Sequence, residues 1–130
     1  ESPCRMNVAK LERPFDYTLR ITRDNELHNE NVNLVETFNY LLGLKVKRIR
    51  TFFENGTTYR VVHGETLTSQ PTTIVWRTTD GLDLKKDKVF IEDTLLKDPK
   101  FKAERIYING DFHVEGARPI EPEFQQLMGA

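Results

Sequence analysis

Asn55 and Gly56 separate two runs of strand-forming residues, 45–53 ("KVKRIRTFF") and 57–65 ("TTYRVVHGE"). An Asn-Gly pair accepts the positive φ angles of the two-residue turns that connect neighbouring antiparallel strands. The two runs are therefore predicted to pair as a β-hairpin, and a sheet must be part of the fold.

A helix is predicted immediately before this hairpin. Asn33 is a favourable N-cap residue, and Glu36 stands three residues later, where it completes a capping box. Gly43 suits the left-handed position that ends a helix. Between these ends, apolar residues recur with the period of one helix face: Leu34, Val35, Phe38, Leu41 and Leu42. We therefore expect this helix to face a core.

The second half of the chain alternates strand and helix patterns. Residues 72–77 ("TTIVWR") are β-branched and aromatic, which is typical of a strand buried on both faces. A helix is predicted at about 84–97, with Asp83 as its N-cap, and the next strand at 103–110. A strand, a helix and a strand in this order predict a parallel βαβ crossover.

The two ends of the chain complete the predicted domain. Residues 1–14 have no hydrophobic period and are expected to be a connector from a longer parent chain. Residues 15–23 alternate apolar and polar side chains, as a half-buried strand does, and the polar run 24–31 is expected to be a loop. Pro122 favours a short last helix. The sequence thus predicts a single α+β domain over residues 15–130, with a mixed β-sheet, one antiparallel hairpin, a βαβ crossover and two to three helices.

Composition excludes several classes of protein. A chain of 130 residues fits one domain, and no apolar run approaches the roughly 18 residues that span a bilayer. Cys4 has no second cysteine to pair with, and no Cys/His cluster has the spacing of a zinc site. The sequence therefore favours a cytoplasmic protein without a membrane partner. The net charge is −1, so any affinity for nucleic acid must come from a local patch.

Three blocks carry a resemblance to a known family: residues 35–49 ("VETFNYLLGLKVKRI"), 73–93 ("TIVWRTTDGLDLKKDKVFIED") and 105–111 ("RIYINGD"). Together and in this order, they resemble the C-terminal region of adenine-specific DNA methyltransferases of the type III restriction-modification kind, the modification subunit. The resemblance extends over about residues 5–130.

The resemblance implies that the parent enzyme uses S-adenosylmethionine, but the catalytic motifs are missing from this chain. The Asp/Asn-Pro-Pro-Tyr/Phe loop that orients a flipped adenine does not occur, nor does the Phe-x-Gly-x-Gly turn that approaches the cofactor. We therefore expect a non-catalytic auxiliary domain that binds no cofactor itself. Its implied partners are the methyltransferase catalytic domain, a restriction subunit or a second copy, and duplex DNA.

Four cations on the first hairpin strand are the candidate DNA-binding residues: Lys45, Lys47, Arg48 and Arg50. Strand alternation predicts that the two lysines lie on one face and the two arginines on the other. If Arg60 on the partner strand, or Arg20, joins one pair, a stripe that follows phosphates is formed. Charges on an edge strand also serve simply to prevent sheets from associating.

A second candidate site lies in two loops that follow predicted parallel strands. In open α/β sheets, ligands bind at the carboxyl ends of such strands, where five polar side chains are expected to converge: Arg77, Thr79, Asp80, Asn109 and Asp111. Turns also require Asp, Asn and Gly for backbone reasons alone. An alternative function is a small metal-dependent, nuclease-like module that uses Asp80, Asp111 and Glu92, although the sequence does not provide the six oxygen ligands that magnesium prefers.

Overall fold

The structure, a computed structural model, describes residues 11–129, without the side chains of residues 19–23 and 28–30. The elements in chain order are β1 (Thr18–Arg23), β2 (Glu26–Asn31), α1 (Leu34–Leu42), β3 (Lys45–Glu54), β4 (Thr57–Glu65), β5 (Pro71–Arg77), α2 (Leu84–Phe90), β6 (Arg105–Ile108), β7 (Arg118–Pro119) and α3 (Ile120–Leu127). Within residues 11–129, no helix is long and apolar enough to cross a membrane.

Five strands form one mixed sheet in the order β3-β4-β5-β6-β7. The pairs β3–β4 and β4–β5 are antiparallel, whereas β5–β6 and β6–β7 are parallel. Residues 72–77 of β5 are all buried, which confirms the prediction of a central strand. The α+β class with a mixed sheet is likewise confirmed. The two-residue strand β7 has no signal in the sequence.

Each face of the sheet is covered by its own apolar cluster, because successive residues of a strand point to opposite sides. On one face, the ring of Phe38 in α1 contacts Trp76 at 5.9 Å and Phe124 of α3 at 5.3 Å between centroids. On the other face, Val75 belongs to a cluster with Ile91, at the end of α2. The domain is therefore a sheet between two helical layers.

The predicted ends of α1 are confirmed. The side chain of Asn33 accepts a hydrogen bond from Glu36 N at 3.0 Å, and Gly43 has φ 67°. Phe38 is fully buried, as its place in the apolar stripe requires.

The βαβ crossover is also confirmed by the parallel pairing of β5 with β6. Asp83 caps α2 by accepting hydrogen bonds from the backbone of Lys85 and Lys86 at 3.0 and 3.3 Å. The helix continues as a π-helical turn over Ile91–Leu95, and a 3₁₀ turn follows at Pro99–Phe101.

The structure contains two hairpins that the sequence did not predict, β1–β2 and β4–β5. Asn55 and Gly56 have φ 52° and 76°, so the predicted turn between β3 and β4 is confirmed. The prediction of a loop over residues 24–31 is wrong, because residues 26–31 form β2 and pair with β1 in a separate two-stranded sheet. Asp24 and Asn25 make its turn at φ 53° and 66°. Asp and Asn tolerate such angles, so this pair is a turn signal in its own right.

Part of the predicted connector packs onto the domain. Leu11 is only 3% exposed and belongs to the cluster that contains Phe38. Pro14 is buried at the start of a 3₁₀ turn, Pro14–Asp16. The remainder of the predicted connector, residues 1–10, lies outside the described part of the chain.

Candidate nucleic-acid interface

A β-bulge places the cations of β3 on one face of the sheet. β3 is an edge strand, and its register against β4 shifts between Val46 and Arg48, so that Lys47 is an extra residue. Arg50 lies opposite Val61, Arg48 opposite His63 and Lys45 opposite Glu65.

Directly opposed residues of an antiparallel pair point to the same face. Residues 61, 63 and 65 share one face of β4, so Lys45, Arg48 and Arg50 share it too. The Nζ atom of Lys47 lies 3.2 Å from a carboxylate oxygen of Glu65, on this same face. We call these four cations, Lys45, Lys47, Arg48 and Arg50, the basic face.

The prediction that the two lysines and the two arginines lie on opposite faces is therefore wrong. A bulge inserts one residue without a partner, and the alternation of side chains restarts after it. Gly64 marks the position, because a Cβ atom there would lie 2.2 Å from the carbonyl oxygen of Lys45. Only glycine allows β3 to approach β4 this closely.

The cations of the basic face differ in how firmly they are held. Arg48 donates a hydrogen bond from Nη1 to the carbonyl of Lys100 at 2.5 Å, which ties the strand to the 3₁₀ turn at Pro99–Phe101. Arg50 donates to the carbonyl of Ile49 at 3.0 Å, and Lys45 is exposed. The face therefore has one anchored guanidinium between more exposed charges.

Arg60 does not join the basic face. Its partners in register are Thr51 and Trp76, and Trp76 belongs to the opposite cluster. Its guanidinium carbon lies 4.8 Å above the ring centre of Phe15. There Arg60 lines a cavity of about 450 Å³ together with Tyr17 and the start of α1.

The other face of β3 is apolar and largely uncovered. Val46, Ile49 and Phe53 lie opposite Gly64, Val62 and Thr58, and they are 39%, 43% and 74% exposed. β3 thus presents cations to one side of the sheet and apolar side chains to the other.

His63 lies next to the basic face and is only 7% exposed. Its Nδ1 is 2.9 Å from the hydroxyl oxygen of Thr73, and that hydroxyl donates its only proton to the carbonyl of Phe101 at 2.7 Å. The Thr73 oxygen must therefore accept from His63, so Nδ1 carries the proton of the neutral ring. Burial lowers the pKa of His63, and the charges of Arg48 and Lys47 lower it further.

The lowered pKa of His63 predicts that acid destabilises the fold. The unfolded chain, with an ordinary histidine pKa of about 6.5, binds the proton more tightly than the folded chain. This contribution to stability is complete above that pKa and is lost as the pH falls below it. Between pH 7.5 and 5.0, the urea concentration at the midpoint of unfolding should fall further for the unsubstituted domain than for His63→Gln. Equal shifts in both proteins would contradict the prediction.

The loops after β5 and β6 meet, but their central residues are buried. Arg77 and Asn109 are both fully buried. The amide of Asn109 accepts a hydrogen bond from Arg77 N at 2.8 Å and donates to the carbonyls of Arg77 at 2.8 Å and Leu11 at 2.7 Å. The guanidinium of Arg77 donates to the carbonyls of Asn109 and Asp111. Three of the five predicted loop residues, Arg77, Asn109 and Asp111, therefore come together around protein partners.

The other two loop residues contact the N-terminal segment of the domain. The backbone N–H of Thr79 donates to the carbonyl of Glu12 at 2.9 Å, and Asp80 forms an ion pair with Arg13. Nearby, the carboxylate of Glu121 accepts from the backbone N–H of Leu11 at 3.1 Å. Residues 11–13 thus occupy the carboxyl end of the parallel strands.

The acidic residues of the metal-dependent alternative are not gathered into one group. Asp80 pairs with Arg13, and Glu92 lies 4.0 Å from Lys88 and accepts from the backbone of Glu115. Among the side chains that the structure describes, no group of three from His, Cys, Asp or Glu is arranged to hold a metal ion.

Sequence reasoning missed the ionic partner of Arg77. Asp87 of α2 is fully buried, forms an ion pair with Arg77, and accepts a hydrogen bond from the Tyr59 hydroxyl at 2.7 Å. Burial raises the pKa of Asp87 and lowers that of Arg77. The available signal was a carboxylate within an apolar stripe, three residues after Leu84 and four before Ile91.

The described part of the chain thus contains two polar centres of opposite character. The network of Tyr59, Arg77, Asp87 and Asn109 is buried and contacts protein groups, whereas the basic face is open to solvent. Of these two centres, the basic face is the one whose charges a macromolecular partner can reach. No family model, no curated protein and no solved structure matches this chain.

Proposed function

We propose that this chain is a non-catalytic auxiliary domain of a type III-like adenine DNA methyltransferase, and that its basic face contacts the phosphate backbone of duplex DNA. The observation that carries the contact is the bulge at Lys47, which brings four cations to one side of an edge strand. The enzymatic context rests on the resemblance of residues 35–49, 73–93 and 105–111. S-adenosylmethionine then belongs to the catalytic domain of the parent enzyme.

The dimensions of the basic face suit a phosphate backbone. From Lys45 to Arg50 an extended strand covers about 15 Å. One DNA strand presents a phosphate about every 3.4 Å along the helix axis, so the face reaches several phosphates at once. Contacts of this kind position a protein on DNA without reading its sequence.

The packing of the aromatic residue on the basic face favours duplex DNA over single-stranded DNA as the ligand. Single-strand binding proteins stack bases on exposed aromatic rings. Phe52, the aromatic residue of β3 on the basic face, instead packs edge to face against Phe90 and Phe101 at 6.0 and 6.4 Å. The exposed ring of Phe53 lies on the other side of the sheet.

The charge balance implies that the contact is secondary. The net charge is −1, and Glu65 pairs with one of the four cations. Tethering to a catalytic domain that already holds DNA raises the effective concentration and makes a weak contact useful. The proposed partners are therefore that catalytic domain and duplex DNA in the cytoplasm, with assembly through a restriction subunit or a second copy.

Removing two arginines should weaken DNA binding and its salt dependence. Arg48→Gln combined with Arg50→Gln should lower the affinity for a 20-base-pair duplex roughly tenfold at low salt. It should also reduce the slope of log K against log salt by about 2, since each phosphate contact contributes about 0.9. Fluorescence anisotropy between 25 and 200 mM salt measures both quantities.

The matched control is Lys85→Gln combined with Lys86→Gln, which removes the same charge from two exposed residues at the start of α2. This variant should have the same slope of log K against log salt as the unsubstituted domain. If the two double variants bind alike, the basic face is not the contact. Arg60→Gln should resemble the control, because Arg60 lies on the opposite side of the sheet.

A further inference from the structure

One histidine in the described part of the chain lies directly opposite a cation of the basic face. His63 faces Arg48 across the β3–β4 pair and is almost buried, with its ring edge to face against Phe101 at 6.4 Å between centroids. The position of such a ring is fixed by packing, so its free nitrogen points in a defined direction.

The free nitrogen of His63 is Nε2. Because Nδ1–H is engaged by Thr73, Nε2 of the neutral ring carries a lone pair and no proton. Among the described residues no hydrogen bond to Nε2 is formed, and 7% of the His63 surface is exposed to solvent. A proton added to His63 therefore goes to Nε2, which then becomes a hydrogen-bond donor on the residue opposite Arg48.

Burial and the neighbouring cations both disfavour a proton on His63 in the free protein by lowering its pKa. Arg48 and Lys47 approach from β3, and Glu65 follows on β4. Thr73 of β5 presents a neutral hydroxyl, and Lys100 precedes Phe101 in the 3₁₀ turn. Cations thus outnumber carboxylates, and an additional positive charge on the ring is repelled.

We infer that a backbone phosphate bound at Arg48 and Lys47 accepts a hydrogen bond from protonated His63 Nε2, so that DNA binding takes up a proton at this residue. This inference rests on the proposed function and adds a ligand to the same site. The phosphate neutralises the two cations that repel the proton and supplies the acceptor that Nε2–H lacks in the free protein. Protonation of His63 and phosphate binding therefore favour each other.

Proton uptake makes the affinity for DNA dependent on pH. One linked proton changes the binding constant by at most tenfold per pH unit. For the 20-base-pair duplex at fixed low salt, the affinity of the unsubstituted domain should rise about three- to tenfold as the pH is lowered from 7.5 to 5.5. His63→Gln keeps a side-chain donor for Thr73 and should show little of this rise. His113→Gln, at an exposed position in the loop after β6, should retain it.

A second measurement tests the inference without a variant. The pKa of His63, followed by NMR of its ring protons, should be higher in the presence of the duplex than in its absence. A pH-independent affinity, an equal pH dependence in His63→Gln, or an unchanged pKa would overturn the inference. If binding still depends on Arg48 and Arg50, the proposed function stands and only the role of His63 fails. If no duplex binds at any pH, both fail.

Discussion

Replacing Asp87 by alanine is expected to lower the free energy of unfolding by about 3–5 kcal/mol. Asp87 and Arg77 form an ion pair in which both side chains are fully buried. Removing the carboxylate leaves the guanidinium as an unpaired charge away from water, and it also removes the acceptor of the Tyr59 hydroxyl. Both losses occur at one position, so the effect should exceed that of an ordinary truncation.

Asp93→Ala is the matched control, because this carboxylate is exposed on the π-helical turn that continues α2. Its effect should stay within about 0.5 kcal/mol. Urea unfolding at pH 7 compares the two variants. Tyr59→Phe should be intermediate, since it removes one hydrogen bond to the charged Asp87 carboxylate, worth about 1.5–3 kcal/mol. Equal midpoints for Asp87→Ala and Asp93→Ala would show that the ion pair does not stabilise the domain.

The buried network also shows where sequence reasoning about a site stops. Arg77 and Asn109 were identified because they lie at the carboxyl ends of two parallel strands, and the structure does place them together. The sequence does not show that residues 11–13 cover this end of the sheet, because that contact joins residues about 100 positions apart. The same side chains that suit a ligand site are thereby used to hold the N-terminal segment.

Local signals predicted most of the fold. The N-cap at Asn33, the left-handed Gly43 and the Asn55-Gly56 turn each act over a few residues, and the structure contains all three. The β1–β2 hairpin was missed for a physical reason. Residues 26–31 are mostly polar, and they pair with β1 alone in a separate two-stranded sheet. A strand without an apolar face has no hydrophobic period to recognise.

The arrangement of the basic face was not predictable from β3 alone. The four cations are evident in the sequence, but the face that each occupies depends on the register against β4. A single inserted residue reverses the side on which all later residues point. The one indication is Gly64, since a glycine inside a strand often marks a bulge or a close approach of two backbones.

Gly64→Ala is therefore expected to affect both stability and the proposed DNA contact. The new methyl group would lie 2.2 Å from the carbonyl oxygen of Lys45 and 3.0 Å from Cα of Val46, so the backbone of β3 has to move. Forced shifts of this kind cost about 1–3 kcal/mol. Because the displaced segment carries Lys45 and Lys47, the affinity for duplex DNA should fall although no charge has been removed.

Thr58→Ala provides the comparison, since Thr58 lies at the other end of β4, opposite Phe53. It should cost less than about 1 kcal/mol and leave the affinity and the salt slope unchanged. Urea unfolding and fluorescence anisotropy on both variants separate the two effects. If Gly64→Ala loses stability but binds DNA with the same salt slope as the unsubstituted domain, the cations bind DNA without needing the bulge. If it loses neither, β3 accommodates a side chain at this position, and the glycine is not what allows the four cations to share a face.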